Sequence, residues 1–165
     1  MEKRIVECVP NFSEGRDKAV IDRIVSAIET SGGVKVLDVD PGEATNRTVV
    51  TFVGSPEAVV EAAFAGVKKA AELIDMRKHK GAHPRMGATD VLPLIPIAGI
   101  TLEECAELAR KLAERIAGEL HVTVGTLTTN MNSLERKGYL TRNRSTRDKR
   151  VVLVTLTEKG RKAFF

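Results

Sequence analysis

At 165 residues the chain is long enough to bury one core, or one core and a fragment. Its 42% hydrophobic and 29% charged residues suit a soluble globular protein; no stretch approaches 18 apolar residues, and Met1 to Gly15 has no signal-peptide core, so neither a membrane partner nor a secretory leader is expected. The net charge of +4 is unevenly spread: residues 1–120 hold 16 Lys and Arg against 19 Asp and Glu, and residues 121–165 hold 10 against 3, which suggests two modules with the second facing a polyanion.

Arg4 to Val9 is a β-rich run closed by Pro10, and Asn11 to Arg16 reads as a polar turn. From Asp17, a cap, the residues Val20, Ile21, Ile24, Val25 and Ile28 recur at helical spacing until Gly32-Gly33. Val34 to Val39 is a second strand, Pro41 to Ala44 a turn, and Thr48 to Val53 a third strand. Ser55-Pro56-Glu57 carries three helix-start signals, and that helix runs to about Ile74. After a histidine loop, Val91 to Ile97 contains two prolines and reads as an edge strand. Thr101 and Glu104 have capping-box spacing and open a helix to Leu120. The order β-α-β-β-α-β-α predicts an α/β (α+β) ferredoxin-like front domain over 1–120, with both crossover helices on one face of an antiparallel sheet.

The pattern restarts over 121–165. Thr123 caps a helix from Val124 to Lys137, stopped by Gly138. Tyr139 to Arg142 and Arg150 to Leu156 are strand-like around a Ser145 to Lys149 turn, and Thr157 caps a last short helix. Cys8 and Cys105 lie far apart without a CxxC, which argues against a disulfide framework and a zinc site and for a reducing, cytoplasmic setting.

His83 sits in the run His79-Lys80-Gly81-Ala82-His83-Pro84-Arg85-Met86-Gly87. It is either a surface histidine in a basic loop or a general base, a task that suits an imidazole titrating near neutral pH. A base needs a carboxylate to support its imidazolium, and Asp38 and Asp40 at the end of the second strand are the candidates. A metal reading of His79 and His83 is poor: the spacing needs a helix, Gly81 and Pro84 disfavour one, and no third ligand is evident. Asn46-Arg47-Thr48 read on its own is a strand-entry turn with a surface arginine.

The run from Val6 to Gly15 resembles the opening of the folate-dependent formiminotransferases (glutamate formimidoyltransferase). So do Leu37 to Asp40, Thr45 to Thr48, Thr51 to Gly54, Ile74 to Met76, His79 to Gly81, His83 to Gly87 and Asp90-Val91, in the family's order and over roughly residues 4–120. That resemblance implies formimino transfer from N-formimino-glutamate to tetrahydrofolate, a co-substrate, in histidine breakdown, with no metal. His83 would be the base and Asp40 its support; Asn11, Asn46, His79 and Arg85 would line the pterin and glutamate ends of the site. The family's site lies between two subdomains, so a chain carrying half of it is expected to turn over little or nothing.

Val122 to Arg161 resembles the MarR-type winged helix-turn-helix regulators, on His121 to Thr128, Leu134 to Leu140, Asp148 to Val154 and Leu156 to Gly160. The resemblance implies that Thr126, Thr128, Thr129 and Asn130 face the major groove, while Arg144, Arg147, Lys149 and Arg150 form a wing against phosphates or the minor groove. Weak duplex DNA binding and a homodimer are the partner expectations that follow. A helix acceptable to both families, Ala109 to Leu120, suggests a chimera. Three classes stay open: an enzyme fragment, a DNA-binding module, and a chain with no native activity.

Overall fold

The computed structural model describes residues 3–82, 87–120, 135–144 and 152–164. Two compact units divide the chain, Met1–His121 and Val122–Phe165.

The first unit is a mixed α/β layer. Its elements in chain order are β1 (Ile5–Cys8), β2 (Asn11–Phe12), α1 (Lys18–Thr30), β3 (Val34–Gly42), β4 (Arg47–Gly54), α2 (Pro56–Leu73), β5 (Thr89–Val91), β6 (Leu94–Ala98) and α3 (Leu102–Glu119). β1 and β2 run along the same neighbour: Val6, Glu7 and Cys8 face Gly54, Val53 and Phe52, and Asn11 and Phe12 face Val49 and Thr48. They act as one strand broken at Pro10, whose carbonyl still accepts from Val50 N at 3.0 Å. On the far side β6 pairs with β1 and β5 with β2, while β3 pairs with β4. All these pairings are antiparallel, and β3 and the β5–β6 pair form the two edges. Pro96 sits on one edge, in β6, and Pro41 on the other, in β3, where a missing N–H donor is tolerated; Pro93 lies in the break between β5 and β6.

Three expectations are corrected here. The single edge strand placed over Val91 to Ile97 is two strands broken at Leu92-Pro93, with β5 on β2 and β6 on β1, because Pro93 cannot continue the ladder. The polar turn placed at Asn11 begins as strand instead, because Phe12 buries its ring (2% exposed) on the same side as Cys8. The second strand also does not stop at Val39: Pro41 and Gly42 continue the ladder against Thr48 and Arg47.

Alternation decides which face is which. Val6, Cys8, Phe12, Val50 and Phe52 are buried, with Ile24 and Ile28 of α1, Val59, Ala62 and Ala63 of α2, and Cys105 and Leu112 of α3. Both crossover helices therefore cover one face. Burial pushes the Cys8 thiol up to about 12, so it is an inert core group. The helix ends follow the sequence signals: Asp17 Oδ1 accepts from Ala19 N and Val20 N, and Thr101 and Glu104 form a reciprocal capping box. Among the described residues no helix is long and apolar enough to cross a membrane.

The second unit contains an antiparallel hairpin of β7 (Leu140–Arg144) and β8 (Val152–Leu156), followed by α4 (Glu158–Phe164). Glu135 and Arg136 are helical and Gly138 takes φ 75°, the left-handed turn expected at a helix stop. Glu135 accepts from Arg142 N at 3.2 Å and from its Nε at 2.9 Å, which ties the turn to the hairpin. Thr157 Oγ1 accepts from Gly160 N at 3.0 Å and so caps α4. Of the DNA-facing candidates, Thr126, Thr128, Thr129, Asn130, Arg147, Lys149 and Arg150 lie outside the described residues, and Arg144 is described by its backbone alone, as the last residue of β7.

Candidate functional site

The face of the sheet away from the helices carries the residues that alternate with the core. On β1, β2 and β4 these are Glu7, Asn11, Arg47, Val49, Thr51 and Val53, all half-buried. Register adds Asp38 opposite Thr51 and Asp40 opposite Val49, and both are exposed. Asn11 meets Val49 from the other side. Asp40 and Asn11 therefore lie two strand spacings apart on one face, about 10 Å.

At one end of this face three loops converge: residues 13–16 after β2, the 43–46 turn before β4, and 75–82 after α2. Arg47 Nε donates to Asn11 Oδ1 at 2.8 Å, and its Nη2 donates to Asp90 Oδ2 at 2.6 Å. The two charged side chains are only 13% and 10% exposed, so strands β2, β4 and β5 are joined by a largely desolvated pair. Thr48 Oγ1 donates to Glu14 O at 2.5 Å.

Asn46 takes φ 52° and is 7% exposed. Its Oδ1 accepts from Gly15 N at 2.9 Å and its Nδ2 donates to Lys80 O at 3.1 Å. Its carbonyl accepts from His79 Nε2 at 2.9 Å, which makes that nitrogen the protonated one. Upstream, Asp75 shapes the turn by accepting from Arg77 N at 3.1 Å and from its Nε at 2.8 Å, bonds that hold the Asp75 carboxyl down at about 2.

His83 and Arg85 lie outside the described residues. The residues on either side are held: Ala82 N donates to Ala44 O at 3.3 Å, Ser13 Oγ donates to Gly87 O at 2.7 Å, and Ser13 N donates to Ala88 O at 2.8 Å. Among the described residues no group of three or more His, Cys, Asp or Glu side chains could hold a metal ion.

Residues 5–150 match the model of the formiminotransferase domain, N-terminal subdomain. The chain belongs to this formiminotransferase family. It is similar to the formimidoyltransferase-cyclodeaminase of Rattus norvegicus, 56% identical over 121 residues, which cover 73% of this chain and 22% of that protein. The glutamate formimidoyltransferases of Streptococcus pyogenes serotype M1 and Thermoplasma acidophilum are each 51% identical over 73% of this chain and 40% of their own length. The chain thus spans less than half of these curated relatives.

Asp40, Asn11, Asn46, His79, His83 and Arg85 all fall within the span that matches the formiminotransferase model. The described ones divide into two kinds. Asp40 projects from an exposed edge-strand position, whereas Asn11, Asn46 and His79 are engaged with other groups of the chain. Sequence reasoning did not name Arg47, for which a surface position was one reading, or its partner Asp90 among the site residues. The alternation of buried Thr48 and Val50 with Arg47 and Val49 shows on which face Arg47 lies, but its contact with Asp90 depends on a pairing 43 residues away.

Proposed function

We propose that this formiminotransferase chain forms the histidine-bearing part of a folate-dependent formimino-transfer site of histidine breakdown, with N-formimino-glutamate as donor and tetrahydrofolate as acceptor. A folate amine adds to the amidine carbon of the donor, forming a C–N bond. The bond from that carbon to the glutamate nitrogen then breaks. The proton leaves the attacking nitrogen and ends on the departing glutamate amine. His83 takes and returns that proton, and Asp40 supports the imidazolium it becomes. Asn11, His79 and Arg85 surround the pterin and glutamate ends. The chain's own residues supply the base, with no metal in the step.

One observation carries this reading: the flanks of His83 are bonded to the 43–46 turn and to Ser13, at the end of the face that shows Asn11, Arg47 and Asp40. A base is useful only when held within a fraction of an ångström of its proton, and tethered flanks serve that need. The test is calorimetric titration with 5-formyl-tetrahydrofolate. Saturable binding that weakens on Asp40→Asn or His83→Ala is expected. Binding unchanged by both would remove these residues from the site.

A second reading, weak duplex binding by the basic second unit, is favoured by its hairpin and by the left-handed stop at Gly138. The family match running to residue 150 weighs against it and against a chimeric origin, and no observation supports a homodimer. Titration with duplex DNA at two salt concentrations tests this reading, because phosphate contacts weaken steeply with salt.

A further inference from the structure

Asn46 is, among the described residues, the one non-glycine with positive φ, and it is buried. Asparagine enters this left-handed region more readily than most side chains, and the surrounding structure holds it there. Here that structure is the loop junction. A single planar amide receives Gly15 N–H on its oxygen and gives its N–H to Lys80 O. The same residue's carbonyl receives the His79 ring, and its own N–H reaches Glu43 O at 3.2 Å. Three loops meet on one side chain and its backbone. An amide offers two N–H donors and one acceptor oxygen, and here the nitrogen and the oxygen each have a partner inside the protein. Among the described residues, both ends of the amide are turned toward the protein, and the residue is 7% exposed.

We infer that Asn46 is a positioning residue, not a ligand contact: its amide ties Lys80 to the Gly15 loop and so holds the described lead-in to the histidine run, Lys80 to Ala82. The inference rests on the proposed function for its consequence and on the bonds above for its geometry. Isosteric Asn46→Asp keeps the acceptor for Gly15 N–H but turns an oxygen toward the Lys80 carbonyl, where a donor is required. Asn46→Gly tolerates the positive φ and removes both side-chain bonds without backbone strain. The two variants therefore separate the donor from the acceptor.

The experiment combines amide exchange with folate titration on this chain and both variants. Ala82 N–H should exchange roughly tenfold faster in both variants, about the factor one net hydrogen bond supplies. Gly15 N–H should lose protection in Asn46→Gly and keep it in Asn46→Asp. Core amides of β4 and α2 should not change. Affinity for 5-formyl-tetrahydrofolate should fall in both variants in step with Ala82 exchange. In any formimino-transfer turnover, kcat should fall while the donor KM stays constant. Loss of folate binding with unchanged Ala82 and Gly15 exchange would make Asn46 a ligand contact and overturn the inference. Unchanged exchange in both variants would also overturn it. A wild-type chain that binds no folate would defeat the proposed function, while the exchange data would still decide the role of Asn46.

Discussion

Arg47→Met is expected to be among the most destabilising single changes in the first unit, by about 3–5 kcal/mol, the usual cost of removing one partner of a buried ion pair. The guanidinium lies between Asn11 and Asp90, and the Asp90 side chain is 10% exposed. Without that cation a carboxylate keeps its buried position and loses its charge-assisted bond. The effect should reach further than stability, because the pair joins β2 and β4 to β5, the strand that follows the histidine loop. Asp90→Asn leaves a neutral hydrogen-bonding group and should cost less, about 1–2 kcal/mol. The double variant Arg47→Met with Asp90→Val removes both charges and should recover much of the loss. Urea midpoints of the four proteins, with a probe confined to the first unit, measure this. A loss under about 1 kcal/mol for Arg47→Met would mean that the pair behaves as a solvated surface bridge.

Gly15→Ala should also be damaging, for a different reason. A Cβ at Gly15 would stand 2.5 Å from Arg47 N, 2.6 Å from Gly42 O and 2.7 Å from Arg47 O. All three are backbone atoms of the paired ends of β3 and β4, so no side-chain rotation relieves the clash. The chain must shift there, and forced overpacking costs about 1–3 kcal/mol. The shift would also pull Gly15 N from Asn46 Oδ1. Gly118→Ala is the control: nothing lies within 4 Å of its Cβ position, so in helix α3 it should gain about 0.5–1 kcal/mol. Thermal melts of both variants check the pair. If Gly15→Ala melts like the parent, the close approach of the two segments is not required.

Local chemistry made much of the fold legible. Asp17, Ser55 with Pro56, and Thr101 with Glu104 announce three helix starts at the residues where the structure begins them. Two prolines in the Val91 to Ile97 run announce an edge position, and among the described residues β6 pairs with β1 alone, although Leu92-Pro93 separates it from β5. Boundaries decided by partners were not legible. Asn11-Phe12 looks like a turn until β4 and β5 are placed on either side of it. Pro41-Gly42 looks like a strand end until Thr48 and Arg47 are set opposite.

The candidate site divides in the same way. Asp40 and the histidine loop carry their chemistry in residue type, and family resemblance exposes them. Arg47 becomes visible only through its bond to Asp90. The resemblance names Asn46 as a residue lining the site, and its contacts with Gly15, His79 and Lys80 appear only in the structure. An asparagine in a turn is ordinary in sequence; its left-handed, buried, doubly bonded state is a property of the assembled loops.

The most direct test of the account is backbone amide shift mapping of this chain during titration with 5-formyl-tetrahydrofolate. Saturating shifts should gather at Asn11, Asp40, Arg47, His79 to Ala82 and Gly87, on the open face and its loops, while α1 and the outer surface of α3 stay still. Shifts confined to the helical face, or to the Leu140–Leu156 hairpin, would contradict it.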